Sequence, residues 1–120
     1  MKVTKVLEGL ELAKLAAEAA SKMQAQDILL LDLTKLSTFA DYFVICSGQT
    51  TRQIEAIRDE IDQSLSREGL RLLHQEGVTG SGWLLMDFGD VVVHIFEPIL
   101  RQYYGLDELW ENAVPLLRML

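Results

Sequence analysis

Runs of β-forming residues alternate with helical stripes along this chain, and their order constrains the fold more than any other feature. Two runs, "DILLLDL" and "ADYFVICSG", are separated by the polar "TKLSTF", which is the spacing of adjacent strands. Three further strands are predicted near Arg71 to Gln75, Trp83 to Phe88 and Val91 to Phe96, with "FGDV" as a tight connection between the last two. With the helices described next, the order is α-β-β-α-β-β-β-α. This order predicts an α/β (α+β) fold, with a single mixed β-sheet and flanking helices.

Two helices are predicted before the last three strands. Helix one is expected near 3–24, where valine, leucine and alanine recur at three- and four-residue spacings with lysine and glutamate between them. A second helix is expected after Gly48, because Thr50 and Gln53 resemble a capping box and an apolar stripe at helical spacing follows them. Gly69 is a typical end for this helix.

The chain is expected to form one domain over 1–120, because 120 residues with 49% hydrophobic content can bury one core but hardly two. The sheet core is predicted over 27–97. After Pro98, the strings "ILRQYYG" and "LDELWENAV" predict a helical tail over 98–117 that is broken at Gly105.

The expected cellular compartment depends on whether the sequence shows a membrane span or a secretory signal. The longest apolar stretches, such as Ile28 to Leu31, are far shorter than the roughly 20 residues that span a bilayer, so no membrane span is expected. Glu8 and Glu11 interrupt what would be the apolar part of a secretory signal, which favours a cytoplasmic protein. The single cysteine, Cys46, lies in the apolar run "YFVIC" and is expected to be a reduced, buried thiol.

Acidic residues concentrate in the last part of the chain. The formal net charge is -7, and residues 72–117 hold seven acids against one base, Arg101. Such a surface repels phosphate backbones, so little direct nucleic-acid contact is expected, whereas a basic protein partner fits the sign of the charge. The alternative is that these acids form a solvated, solubilising face.

Nucleotidyl transfer is the enzymatic chemistry that the sequence most nearly resembles. In such sites a Gly-Ser turn holds the triphosphate, and two carboxylates on a nearby strand hold a divalent metal. Ser47-Gly48 could form the turn, but no Asp-x-Asp pair occurs in the sequence. The turn is therefore interpreted as a strand-to-helix connection, and no catalytic residue is expected.

Histidine, cysteine and glycine offer no other site. Strand alternation places His94 with Val92 and Phe96 in apolar surroundings, which favours a packed or hydrogen-bonded histidine over a base. A zinc site would need more ligands, but only His74 and Cys46 are available, from different elements. Neither GxxxxGK[ST] nor GxGxxG occurs. No metal and no cofactor are expected.

Aromatic residues gather in the same acidic segment, and tryptophan, tyrosine and arginine dominate protein interfaces. They are Trp83, Phe88, Phe96, Tyr103, Tyr104 and Trp110. The alternative is that they build the core, which we expect for Phe96 and Trp110 but less for Trp83 and Tyr104.

Three strings resemble the signature of the ribosomal silencing factors, also called the Iojap family. They are "FADYFVICSG", "RQIEAI" and "GWLLMDFGDVVVHIFEPILRQYYGLDELW", and the resemblance covers roughly residues 5–112. Two departures are small: Ala40 stands where threonine is common, and Asp107 where glutamate is usual. The resemblance implies a nucleotidyltransferase-like fold that has lost its chemistry, in agreement with the missing carboxylate pair.

The resemblance also implies a function. Family members bind large-subunit ribosomal protein fourteen on the face that meets the small subunit, so that they sterically block subunit joining when nutrients run short. A homodimer is often seen in the family. Two alternatives stay open: a degenerate nucleotidyltransferase with residual nucleotide binding, and a general large-subunit assembly factor.

By this resemblance, the partner-binding surface would consist of Trp83, Asp87, Asp90, His94, Arg101 and Tyr104, with Tyr42 and Phe43 nearby. Trp83 and Tyr104 would supply buried anchors, and the two aspartates would meet basic side chains. Arg101 would pair with an acid or a backbone carbonyl, and His94 would orient its neighbours.

Overall fold

The computed structural model describes residues 9–37, 40–78, 80–109 and 112–120, with only the backbone of Leu109. The elements in chain order are α1 Gly9–Lys22, β1 Gln26–Asp32, β2 Tyr42–Ser47, α2 Thr51–Arg67, β3 His74–Glu76, β4 Trp83–Asp87, β5 Val91–Phe96, α3 Pro98–Tyr104, α4 Leu106–Leu109 and β6 Val114–Met119. In the described ranges, no helix has both the length and the apolar character needed to cross a membrane.

The strands form one six-stranded mixed sheet in the order β3-β4-β5-β2-β1-β6. The central pair, β2 and β5, is parallel, and the other neighbouring pairs are antiparallel. The predicted fold class, a mixed sheet with flanking helices, is confirmed.

The predicted helical tail over 98–117 is wrong at its end, because residues from Val114 to Met119 form β6 and pair antiparallel with β1. Leu117 and Met119 alternate onto the helix-covered side of the sheet, where they pack against the core. Pro115 cannot donate a backbone hydrogen bond, so it disfavours a helix interior and is tolerated on an edge strand such as β6.

Helices α1 and α2 cover one face of the sheet. Several alanines of α1 have no exposed surface and allow the helix to lie close to the strands: Ala13, Ala16, Ala17 and Ala20. The predicted stripe of α2 is confirmed, since Ile54, Ile57, Ile61 and Leu65 are all buried. The predicted residues 3–8 of helix one lie outside the described residues.

Both ends of α2 follow the predicted signals. The Thr50 hydroxyl accepts a hydrogen bond from the Gln53 backbone N–H at 3.0 Å, and the Gln53 side-chain oxygen accepts one from the Gln49 N–H at 2.7 Å. The chain leaves the helix at Gly69, whose φ of 83° suits glycine, and the Leu70 N–H reaches back to the Leu65 carbonyl.

The opposite face of the sheet, here called the tail face, carries a second core. Its buried residues include Leu29, Leu31, Phe43, Ile45, Val92 and Phe96. The predicted tight connection between β4 and β5 is confirmed: Phe88 N–H donates to the Val91 carbonyl at 2.9 Å, and Gly89 has a φ of 96°. The short helix α3 packs against β5.

Candidate protein-binding surface

Five aromatic rings form one contiguous cluster on the tail face, and we call them the aromatic cluster: Phe43, Trp83, His94, Phe96 and Tyr104. The ring of Trp83 stacks on Phe96 with centroids 5.1 Å apart and meets the tilted ring of Tyr104 at 4.9 Å. Phe43 meets His94 at 4.7 Å. The cluster therefore joins the two central strands, β2 and β5, to strand β4 and helix α3.

Strand register brings these residues together from distant parts of the chain. Trp83 lies opposite Phe96 in the antiparallel β4–β5 pair, and Leu85 lies opposite His94. Ile45 lies beside His94 in the parallel β2–β5 pair. Because side chains alternate along each strand, the side chains of these paired residues all project from the tail face.

His94 is buried, with 3% of its surface exposed, and accepts a hydrogen bond at Nδ1 from the Trp83 indole N–H at 3.3 Å. An indole N–H can only donate, so the proton of a neutral His94 resides on Nε2. Burial lowers the pKa of His94 from 6.5 to about 4, which keeps the ring neutral near pH 7. The arrangement orients the Trp83 indole.

The Nε2 atom of His94 is buried and has no hydrogen-bond partner in the described part of the chain. A buried donor without an acceptor costs free energy, and the close packing of the neighbouring Phe43, Trp83 and Phe96 rings offsets that cost.

Arg101 is also buried, at 8% exposure, and each nitrogen of its guanidinium donates at least one hydrogen bond within the chain. It forms a two-point ion pair with Asp107, with Nη2 at 2.9 Å and Nε at 3.2 Å from the carboxylate oxygens. Nη1 donates to the Asp27 carbonyl at 2.6 Å and to the Ser47 hydroxyl at 3.0 Å. The resemblance predicts that Arg101 pairs with an acid or a backbone carbonyl at the partner contact. In the structure, Arg101 pairs with both kinds of group inside the molecule, where it ties α3 to β1, β2 and α4.

The predicted acids differ in how freely they face solvent. Asp87 is half-buried, and its carboxylate accepts a hydrogen bond from the Gly89 N–H at 2.8 Å, which stabilises the β4–β5 turn. Asp90 is exposed, and its backbone carbonyl accepts bonds from the N–H groups of Asp41 and Tyr42. Asp90 is therefore the freer of the two carboxylates.

Tyr42 and Phe43 are neighbours in sequence but lie on opposite faces of the sheet. Phe43 belongs to the tail-face core, whereas the half-buried Tyr42 packs against the core on the helix-covered side. A ligand on the tail face cannot contact both side chains through the same surface.

The outer edge of the aromatic cluster is open. Tyr104 is 51% exposed, and Ile99 and Tyr103, one helical turn apart on α3, are 80% and 78% exposed. Tyr104 also lines a pocket of about 220 Å³, whose lining includes Glu76, Trp83, Leu85 and Leu100 as well. We call this the Trp83 pocket.

Sequence reasoning missed Leu85, Leu100 and Glu76 as parts of this surface. Leu85 could have been found, because strand alternation places its side chain on the same face of β4 as those of Trp83 and Asp87. Glu76 and Leu100 reach the pocket only through tertiary packing. Trp110, expected to face the sheet, lies outside the described residues.

Exposed charge around this surface is negative. Arg101, the one base in 72–117, is buried against Asp107, whereas Glu76, Asp90 and Glu108 are exposed. Among the residues whose positions are described, no group of three or more histidine, cysteine, aspartate or glutamate side chains is arranged to hold a metal ion.

Comparison with known proteins gives a consistent result. The profile of the family described as "Ribosomal silencing factor during starvation" matches residues 7–119. The chain is 43% identical over 100 residues to "Ribosomal silencing factor RsfS" of Bacillus subtilis, covering 83% of this chain and 85% of that protein. It is 35% identical over 109 residues to "Protein Iojap, chloroplastic" of Zea mays, covering 91% of this chain and 47% of that protein.

Two crystal structures share the fold and about a third of the aligned sequence. A Chromobacterium violaceum protein superposes with a TM-score of 0.84 at 34% identity, covering 88% of each chain. A Bacillus halodurans protein superposes with a TM-score of 0.75 at 36% identity, covering 84% of this chain and 94% of that one. With the family profile matching nearly its whole length, the chain belongs to the ribosomal silencing factor family.

Proposed function

We propose that this protein represses translation in the cytoplasm by binding the large ribosomal subunit through large-subunit ribosomal protein fourteen. Binding there sterically blocks joining of the small subunit when nutrients are limited. Family membership supports a ribosome-associated silencing role, and the family description itself refers to starvation. The protein acts by occupying a surface and needs no chemical step.

The observation that carries this proposal is the exposed edge of the aromatic cluster within acidic surroundings. The half-buried Trp83 contacts Tyr104, whose ring meets the exposed Tyr103 at 5.2 Å. Ile99 is exposed one helical turn before Tyr103. Large exposed aromatic and aliphatic side chains in one patch are typical of protein-binding surfaces. The exposed acids fit a basic protein such as a ribosomal protein and oppose direct contact with RNA phosphates.

The residues of this surface fall into two groups, those exposed to a partner and those buried beneath them. Trp83 and Tyr104 contact the partner, and Asp90 attracts its basic side chains. Phe43, His94 and Arg101 are each less than 9% exposed, so they support the surface from beneath. Asp87 contributes mainly by shaping the turn that carries Asp90.

Cosedimentation with purified large subunits tests the proposal. Asp90→Lys reverses an exposed charge on this surface, whereas Glu18→Lys makes the same change on the exposed side of α1. We expect Asp90→Lys to weaken binding and Glu18→Lys to leave it unchanged, with stronger wild-type binding at low salt. Equal losses from both variants would show that only the net charge matters, and a wild type that does not cosediment would refute the proposal.

A further inference from the structure

We propose that the Trp83 pocket receives one arginine side chain of the partner protein, with Glu76 as the carboxylate that pairs with its guanidinium. This inference rests on the proposed function, because it takes the partner to be a basic ribosomal protein. It adds the chemical nature of one contact and the residue that selects it.

The walls of the pocket fit the stem of a long side chain. Trp83, Leu85, Leu100 and Tyr104 surround about 220 Å³ of space that opens to solvent. Arginine carries three methylene groups that pack on apolar walls while the charged end stays at the rim. The pocket is therefore suited to a side chain that is apolar along its length and polar at its tip.

The rim of the pocket supplies negative charge. Glu76 lines the pocket with a largely exposed side chain, and its carboxylate is paired only with the equally exposed His74, at 3.1 Å, among the contacts described. Among the residues with described positions, no lysine or arginine lines the pocket. The charge of the rim selects a cation and disfavours an acidic side chain.

Aromatic rings favour arginine over lysine. The rings of Trp83 and Tyr104 stand 4.9 Å apart at 43° and form one side of the pocket. A planar guanidinium can stack on such a face and still donate two parallel hydrogen bonds to a carboxylate, which a compact ammonium cannot do. A purely apolar side chain would desolvate Glu76 without pairing it.

The chain's own nearby arginine does not fill this role, since the guanidinium of Arg101 is bound to Asp107, Asp27 and Ser47. Arg101 is therefore not the occupant of the Trp83 pocket, and the partner supplies the proposed cation.

A binding titration with purified large-subunit ribosomal protein fourteen tests the proposal. Glu76→Gln keeps the size of the side chain and removes its charge, and Glu18→Gln on α1 is the matched control. We expect Glu76→Gln to bind about tenfold more weakly and with a smaller salt dependence, and Glu18→Gln to bind as the wild type does. Since Glu76 is exposed and its one described ion pair is with the exposed His74, both variants should melt at the wild-type temperature.

The cation is then identified by replacing each exposed arginine of the ribosomal protein with lysine in turn. One replacement should weaken binding of the wild type and have a clearly smaller effect on Glu76→Gln, because both changes remove the guanidinium–carboxylate contact while the ring contacts depend on the arginine alone. If Glu76→Gln binds within twofold of the wild type while Tyr104→Ala binds poorly, the arginine contact is refuted and the proposed function stands. If the wild-type protein does not bind the ribosomal protein or the large subunit, both are refuted.

Discussion

Replacing Arg101 with methionine should destabilise the protein while leaving its exposed surface intact. Arg101→Met keeps an apolar stem of similar length but removes four hydrogen bonds, two to Asp107 and one each to Asp27 and Ser47. Breaking a buried ion pair from one side costs about 3–5 kcal/mol. The Asp107 side chain is 28% exposed and can regain water, so we expect the low end, about 3 kcal/mol.

Urea unfolding followed by circular dichroism measures this loss. A change of about 3 kcal/mol in a domain of this size lowers the melting temperature by roughly 10 °C. Arg52→Met, at an exposed position of α2, is the matched control and should change the unfolding free energy by less than about 0.5 kcal/mol. If Arg101→Met unfolds like the wild type but no longer binds large subunits, Arg101 is a contact residue and the internal network is not its role.

Three further predictions follow from burial and exposure. Tyr104→Ala should lose on the order of 2 kcal/mol or more of binding to large subunits in a titration, with little change in melting temperature, because the ring is 51% exposed. A Tyr104→Ala protein that melts early yet binds normally once folded would make this ring structural. The buried His94 has a pKa of about 4 in the folded protein and 6.5 in the unfolded chain. Between pH 6.5 and pH 4 the unfolded chain therefore binds one proton more than the folded protein. Wild-type stability should therefore fall by about 3 kcal/mol as the pH drops from 6.5 to 4, and His94→Phe should flatten that part of the unfolding profile. Burial raises the pKa of Cys46 to about 12, so a thiol reagent should label it only in denaturant, and fast labelling of the folded protein would contradict its burial.

The sequence predicted the parts of the fold that depend on interactions between residues close together in the chain. The Ile54 to Leu65 stripe, the Thr50 cap and the Gly89 turn each depend on residues within a few positions of one another. Strand alternation likewise placed His94 among apolar residues, and the structure confirms its burial.

The remaining features depend on contacts between distant segments. The helical tail predicted to residue 117 misses strand β6. The run "VPLLRML" is short and apolar, so its period does not distinguish a strand from a helix, and its pairing partner β1 lies far back in the chain. The bond from Arg101 to the Asp27 carbonyl joins residues 74 positions apart, so the sequence predicted the type of partner but not that it is internal. The family resemblance grouped Tyr42 and Phe43 near one surface, although strand alternation separates their side chains.

Subunit joining, followed by light scattering as purified small subunits are added to large subunits, tests the central claim most directly. Large subunits preincubated with the wild-type protein should fail to form complete ribosomes, and Tyr104→Ala should restore joining at the same protein concentration. Glu18→Lys should block joining as the wild type does. Normal joining by large subunits that are saturated with the wild-type protein would contradict the claim that it silences translation by steric exclusion.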